Sequence, residues 1–306
     1  MKKFIFSSIL FFLGIFSFAQ IFPYTYDYLL NRKNLIPASG AEDNFMSVIL
    51  SYNKKWILPA SPNRANLFVN MNFRHHGVNL GFYRNQVVIF NSSAVQLGYY
   101  YKTMIKRYHV SFALNGLLLQ DKINYSRLTQ DALSDPSFSS LPGLIFYPQF
   151  SISNFIFTDR MELGWSVNNL LKARGYSYGN LNTIYPMNFN LYAAMFYKHP
   201  LEYYLLKAQL YSYYAMDKSL LIEPSAIFVI KNFIKAGGLI SYYQHPGYRS
   251  LSTGLILGLR LKNKIVINYV FRTVVLGKVI SYTRVENGIS ITYNIYRKTE
   301  IAPRYF

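Results

Sequence analysis

A nucleophile and a base within hydrogen-bond reach are the minimum for covalent catalysis, and this sequence offers one such pair. His109 and Ser111 share one face if residues 108–121 form a strand, because alternate side chains of a strand point the same way. No carboxylate that could orient the histidine and no oxyanion donor can be identified beside them. We therefore predict that the protein is not an enzyme, with a hydrolase as the alternative.

Ligands for a metal ion or a cofactor do not form a pattern either. The chain has 13 acidic residues and no cysteine, and its His, Asp and Glu residues have no metal-binding spacing. No glycine-rich phosphate loop or dinucleotide motif is present. We expect no cofactor and no metal.

The strongest pattern is an alternation of apolar and polar residues, clearest in Ile289–Ile295. It recurs in about fourteen segments near the length that a tilted transmembrane strand requires. The pattern predicts an all-β fold, a single antiparallel transmembrane outer-membrane β-barrel of about fourteen strands. The predicted strands are 44–52, 64–74, 76–84, 93–102, 108–121, 144–154, 160–168, 186–198, 202–212, 219–231, 234–243, 250–262, 264–272 and 287–296. Pro224 lies inside one of them, where we expect a bulge or a register shift.

The connections between these strands support a barrel over a soluble β-sandwich, which is the alternative fold. If the N-terminus is periplasmic, each periplasmic turn is compact, and the outward loops include the long segments 122–143 and 169–185. The 29 tyrosines and 24 phenylalanines fit aromatic girdles at the membrane boundary.

Four regions follow from this assignment. Residues 1–19 resemble a cleaved signal peptide, with Lys2 and Lys3 before an apolar stretch and a small residue, Ala19, at the cleavage site. Residues 20–43 form a periplasmic or plug-like segment, 44–296 form the barrel, and 297–306 form a tail. The predicted location is the outer membrane.

The formal net charge of +19 points to anionic partners. Nucleic acid is not expected for an exported barrel, so periplasmic or surface anions, including outer-membrane lipid phosphates, are better candidates. A basic rim at the periplasmic turns is one candidate partner-binding surface; the alternative is that strand-end cations merely keep their charge in water. The rim residues are Arg74, Lys106, Arg107, Arg160, Lys198, Lys231, Lys262 and Lys264.

Charged residues inside the predicted strands must avoid the lipid. We place Glu162 in the lumen, paired with a cation such as Lys207 or Arg260, and Glu223 is a second strand carboxylate. Such pairs either fill the barrel interior or line a conduction path. The bulk of Tyr100 and Phe68 in the lumen favours the filled interior.

Several segments of the chain, taken in order, resemble the PorP/SprF family of Bacteroidota outer-membrane proteins. Residues Leu35–Gly40 are similar to that family's "INPA-x-AG" opening, with Ile36 in place of asparagine. The matching segments are Tyr28–Asn31, Leu35–Gly40, Tyr52–Trp56 with Pro62, Gly77–Gly81, Asp135–Phe138, Leu163–Leu170, Glu223–Ser225 and Gly288–Tyr293.

The resemblance implies a non-enzymatic component of the type IX secretion and gliding-motility apparatus. Such a protein supports export or surface retention of cargo such as gliding adhesins. We expect the outward loops 122–143 and 169–185 to meet secreted cargo, and the basic rim to meet the machinery or a cell-wall-linked partner. The alternative function is an outer-membrane channel for small solutes or lipids.

Overall fold

The computed structural model describes residues 27–42, 45–56, 63–87, 90–123, 144–171, 173–178, 181–198, 204–246, 248–262, 264–277 and 285–296. The predicted signal peptide, the predicted tail and most of the predicted cargo loop 122–143 lie outside these residues.

Fourteen antiparallel strands close into one barrel, as the alternation predicted. Each barrel strand pairs with the next one along the chain, and the first strand pairs with the last from Met46 opposite Ile295 to Trp56 opposite Val285. The barrel strands are β1 (Met46–Trp56), β2 (Asn63–Phe73), β3 (His76–Val87), β4 (Phe90–Ile105), β5 (Tyr108–Ile123), β6 (Leu144–Phe157), β7 (Met161–Asn168), β10 (Asn188–Lys198), β11 (Tyr204–Ala215), β12 (Leu220–Ile230), β13 (Ile234–His245), β14 (Tyr248–Leu261), β15 (Ile265–Gly277) and β16 (Val285–Ile295).

Two further strands were not predicted. Strands β8 (Ala173–Tyr178) and β9 (Leu181–Tyr185) pair with each other outside the barrel, within the segment that we assigned to an outward loop. Both are shorter than the 9–11 residues that a transmembrane strand needs, so the length criterion that identified the barrel strands does not predict them.

Side chains alternate between a lipid-facing surface and a buried interior. On β4, Leu97 is 64% exposed whereas Tyr100 is fully buried. On β2, Leu67 and Phe73 are exposed, and Asn66, Asn70 and Asn72 are buried. This inside-out arrangement is the expected one for a barrel in hydrocarbon, where apolar residues face the lipid and polar residues face the lumen.

The irregularity expected at Pro224 is not there. Strand β12 keeps one register with both neighbours, although its pairing with β13 is interrupted between Ile222 and Ser225. Proline lacks an N–H donor for the sheet, and β12 continues past Pro224 without the bulge that this could cause. The register shift lies instead between β14 and β15, at Leu251 and Ser252.

The two ends of the barrel differ in their connections. At one end, the short-turn end, the chain reverses through two or three residues after β2, β4, β6, β12 and β14. Four cations of these turns, Arg74, Lys106, Lys231 and Lys262, adopt positive φ values. Tight hairpins need this conformation, so the turns expose these side chains at the rim. We call the opposite end the long-loop end.

The segment before the first strand lies inside the barrel, and we call residues Asp27–Glu42 the plug. It comprises a helix (Asp27–Asn31) and two 3-10 helices (Arg32–Asn34 and Pro37–Glu42). The second 3-10 helix packs against interior side chains of β2 to β7, and the α-helix packs against β1, β15 and β16. No helix among the described residues is long and apolar enough to cross a membrane.

Candidate functional site

The barrel wall holds the plug by hydrogen bonds to its backbone. Ser111 Oγ donates to Ala38 O at 2.8 Å, and Ala38 N donates to Ser153 Oγ at 3.0 Å. Ser166 Oγ donates to Leu35 O at 2.6 Å, and Asn70 Nδ2 donates to Gly40 O at 3.0 Å. A short 3-10 helix leaves many backbone groups without an internal partner, and small polar side chains of the wall supply those partners. The plug is therefore bonded in place along its length.

At Gly40 the backbone of the plug lies directly against side chains of the barrel wall. A Cβ atom there would overlap Asn70 Oδ1 and lie 3.2 Å from the Tyr100 ring. Both neighbours are fully buried and hydrogen-bonded to Gly40 O, so they have little room to move.

We expect Gly40→Ala to destabilise the seated plug by about 1–3 kcal/mol, the usual penalty for overpacking. Cleavage by trypsin after Arg32 or Lys33 in folded barrels should then be faster than in the wild type. Gly116→Ala is the matched control, because a Cβ there meets only ordinary contacts, 3.8 Å from Phe150. Equal cleavage rates in the two variants would contradict the tight fit.

Apolar and aromatic side chains fill the space around the plug. Tyr28 stacks on Tyr211 with ring centroids 4.4 Å apart, and its hydroxyl lies 3.4 Å from Ser225 Oγ. Ile36, the residue that replaces asparagine in the family-like opening, is fully buried. The plug and interior side chains of β4 to β6 and β10 to β15 thus form one hydrophobic cluster.

A buried charge cluster joins the plug to the wall at Glu162. Its carboxylate accepts from Arg32 Nη1 of the plug at 2.5 Å, from Lys207 Nζ at 3.0 Å and from Tyr192 OH at 2.7 Å. The Arg32 guanidinium also lies over the Phe155 and Tyr192 rings, 4.6 and 4.7 Å from their centroids. Burial alone would lower the pKa of Arg32, but Glu162 and Glu42 raise it above its ordinary value. Arg32 therefore stays charged and fastens the plug to the wall.

Glu162 and Glu223, the two carboxylates predicted inside strands, each lie beside a cation. Lys207 contacts Glu162, whereas Arg260 donates instead to Tyr296 OH at 3.3 Å. Glu223 is fully buried and paired with Arg272 of β15. The contribution of Arg32 was missed, because no periodicity in residues 27–42 places that segment inside the barrel.

A cavity of about 1190 Å³ lies at the short-turn end, beneath the plug. We call it the mouth cavity. Its wall includes Arg32 and Glu162 of the charge cluster, the β6–β7 turn with Arg160, and the strand ends that carry Lys198 and Lys235. Arg260 also lies in this wall, although it is only 2% exposed. The cavity is thus open to solvent through the rim and closed above by the plug.

All eight predicted rim cations lie at the short-turn end, and seven of them are exposed. Lys198 is half-buried. Arg160 and Lys198 line the mouth cavity, whereas the other six lie outside its wall. The structure thus separates the predicted rim into a pair at the cavity entrance and an outer ring.

His109 and Ser111 do not meet as a catalytic pair. The His109 ring stacks on Phe157 with centroids 4.9 Å apart, at the wall of the mouth cavity. Ser111 is buried, and its hydroxyl is engaged with the carbonyl oxygens of Ala38 and Phe155. The Ser111 hydroxyl therefore binds the backbone of the plug.

Two solved structures with a similar fold are described as monoaromatic hydrocarbon channels. The protein described as "CymD monoaromatic hydrocarbon channel" has a TM-score of 0.57 and 11% identity, over 89% of this chain and 93% of that chain. The "TodX deltaS2S3 mutant monoaromatic hydrocarbon channel" has a TM-score of 0.55 and 10% identity, over 85% of this chain and 93% of that chain. At these identities the likeness establishes the fold alone. No curated protein sequence matches the chain.

The family assignment comes from the sequence itself. A family model described as "Type IX secretion system membrane protein PorP/SprF" matches residues 17–293, which include the plug and nearly all of the barrel. Proteins of this description are secretion components, and the structural neighbours are channels; neither group consists of enzymes. The closed barrel and the family match together place the protein in the outer membrane. This chain belongs to the PorP/SprF family of type IX secretion system membrane proteins.

Proposed function

We propose that the protein is a plugged, non-conducting barrel that supports export or surface retention of type IX cargo, gliding adhesins among them. The observation that supports this proposal is the plug, which packs against β2 to β7 and belongs to the hydrophobic cluster of the barrel interior. Family membership supplies the secretion context. In this proposal the plugged barrel acts as a docking scaffold for other proteins.

In this proposal the two ends of the barrel have different partners. With a periplasmic N-terminus, the short-turn end faces the periplasm, and its basic rim meets the secretion machinery or a cell-wall-linked partner. The long-loop end faces outward, and the segments 122–143 and 169–185 meet secreted cargo. The outward role of segment 169–185 is supported by the β8–β9 hairpin, which forms a two-stranded sheet separate from the barrel.

Replacing residues 124–143 by a short turn tests the outward role. We expect the barrel to remain folded in the membrane while the cargo at the cell surface falls to the level of a strain that lacks the protein. Surface proteolysis or immunolabelling of the cargo measures this directly. Lys218→Gly, in the short Met216–Ser219 connection at the same end, is the control and should leave cargo display unchanged, because glycine accepts the positive φ of that position. Normal cargo display by a folded variant without 124–143 would contradict the assignment of this loop.

The alternative function, a channel for small solutes or lipids, is supported by the fold likeness and the mouth cavity. The two functions differ in what the plug does. A channel requires a route past the plug, whereas the scaffold requires that the plug stay seated. Planar-bilayer conductance of the purified protein separates them: stable open currents favour transport, and a silent barrel favours the secretion role.

A further inference from the structure

The wall of the mouth cavity carries more cationic side chains than carboxylates among the residues that the structure describes. Among the described residues its wall presents seven lysine or arginine side chains and three carboxylates. A concave site with low-dielectric walls concentrates the field of such charges at its entrance and attracts anions. Two of these cations, Lys235 of β13 and Arg260 of β14, lie on neighbouring strands.

Lys235, at the start of β13, shows the imbalance most clearly. It is only 8% exposed, and its amine donates to Asn268 Oδ1 at 2.8 Å. The partner is neutral, and no carboxylate among the described residues forms an ion pair with Lys235. The charged neighbour that acts on it is Lys207, which carries the same sign. Burying a cation without a counter-charge is unfavourable, so an anion that bound beside Lys235 would gain a charge-assisted contact in a desolvated site.

The cations of the cavity are spread around the wall and do not converge on one point. Lys198 ends β10 and Lys235 begins β13, three strands further round the barrel. Neighbouring strands lie about 4.8 Å apart, so these two positions are separated by about 14 Å along the wall. Arg160 is exposed at the entrance, whereas Lys235 lies deep in the wall. A single small anion cannot reach all of them; a flexible ligand with several spaced charges can.

The volume and the lining of the mouth cavity restrict the class of ligand further. The cavity of about 1190 Å³ exceeds the range of roughly 300–1,000 Å³ that is typical of small-molecule sites. Apolar side chains such as Leu30, Phe196 and Ile295 lie between the cations. This mixture suits a chain that presents carboxylates and apolar groups in turn.

We propose that the mouth cavity binds an acidic peptide segment, which enters from the short-turn end and places a carboxylate against Lys235. Further carboxylates of the segment pair with Lys198 and Arg160 towards the entrance. This inference stands on the cavity and its charges, and it holds whether or not the outward loops bind cargo.

Fluorescence anisotropy with the full-length barrel in an uncharged detergent tests the proposal. The probe is a labelled, N-acetylated hexaglutamate peptide, with hexalysine as the charge-reversed comparison. We expect hexaglutamate to bind and hexalysine not to bind. Lys235→Gln should weaken binding about tenfold or more, because a charge-assisted hydrogen bond in a desolvated site is lost. Arg160→Gln, at an exposed position where folding is not at risk, should weaken it several-fold.

Lys264→Gln is the matched control, because Lys264 is exposed at the same end but lies outside the cavity wall. It should change binding less than about twofold, the effect of one screened surface charge. Equal losses in the Lys264→Gln and Lys235→Gln variants would mean that the whole rim attracts the peptide, and the proposal would fail. It would also fail if hexaglutamate did not bind, or if inorganic phosphate at the same charge concentration displaced the peptide completely.

Discussion

Deletion of residues 27–42 is expected to convert a silent barrel into an ion-conducting pore. A barrel of about eight strands has an interior that side chains alone can fill, and a barrel of fourteen strands is considerably wider. In this protein the additional space is occupied by the plug, whose buried residues Leu29, Ile36 and Ala38 belong to the interior cluster. Removing the plug is expected to open this space to water.

Planar-bilayer recordings measure this effect. The wild-type protein should give no stable current, and the deletion variant should give long-lived open currents. Circular dichroism and heat-dependent electrophoretic mobility establish that the variant barrel is folded. The Gly116→Ala variant, which leaves the plug untouched, should remain silent. A folded deletion variant without current would mean that the wall alone closes the lumen.

Glu162→Gln should be the most destabilising single substitution in the charge cluster. Glu162 is 4% exposed, and its carboxylate serves both Arg32 of the plug and Lys207 of the wall. Removing one partner of a buried ion pair leaves uncompensated charge and typically costs about 3–5 kcal/mol. Here the charge left behind is that of two cations facing each other, so the plug should also detach more readily.

Urea unfolding in detergent measures the loss of stability, and trypsin cleavage after Arg32 reports release of the plug. Glu42→Gln is the control: Glu42 contacts the same arginine but is 38% exposed, so its pairing should contribute no more than about 1 kcal/mol. The double variant Glu162→Gln with Arg32→Gln should recover part of the loss, because it also removes a buried cation. Equal effects of Glu162→Gln and Glu42→Gln would show that the cluster is solvated and weak.

Sequence alone predicted most of the barrel. All fourteen strands were placed, because lipid outside and polar groups inside impose an alternation that each strand shows locally. The ends of the strands were predicted less accurately. Strand β4 was predicted as 93–102, and it runs Phe90–Ile105 in the structure. Strands continue to pair beyond the hydrocarbon, where the constraint that produces the alternation has ended.

The interior could not be predicted to the same extent. The plug makes its contacts with residues far away along the chain, such as Ala38 with Ser153 and Arg32 with Glu162, which are 115 and 130 positions apart. Such contacts leave no local periodicity. The sequence assigned Leu35–Gly40 to a periplasmic or plug-like segment and to a family-like motif, but it did not show that Gly40 fits against Asn70 and Tyr100 of the wall. The mouth cavity likewise depends on closure of the barrel, which brings Lys198 and Lys235 to one rim.

Crosslinking of the plug to the barrel wall in intact outer membranes tests the central claim most directly. The chain has no cysteine, so the pair Ala38→Cys and Ser153→Cys can be joined by a short bifunctional reagent without background. We predict a crosslink in this pair and none between Ala38→Cys and Ser290→Cys on β16, six strands away round the barrel. Absence of the first crosslink in a folded barrel, or equal yields from both pairs, would contradict a plug seated in the lumen.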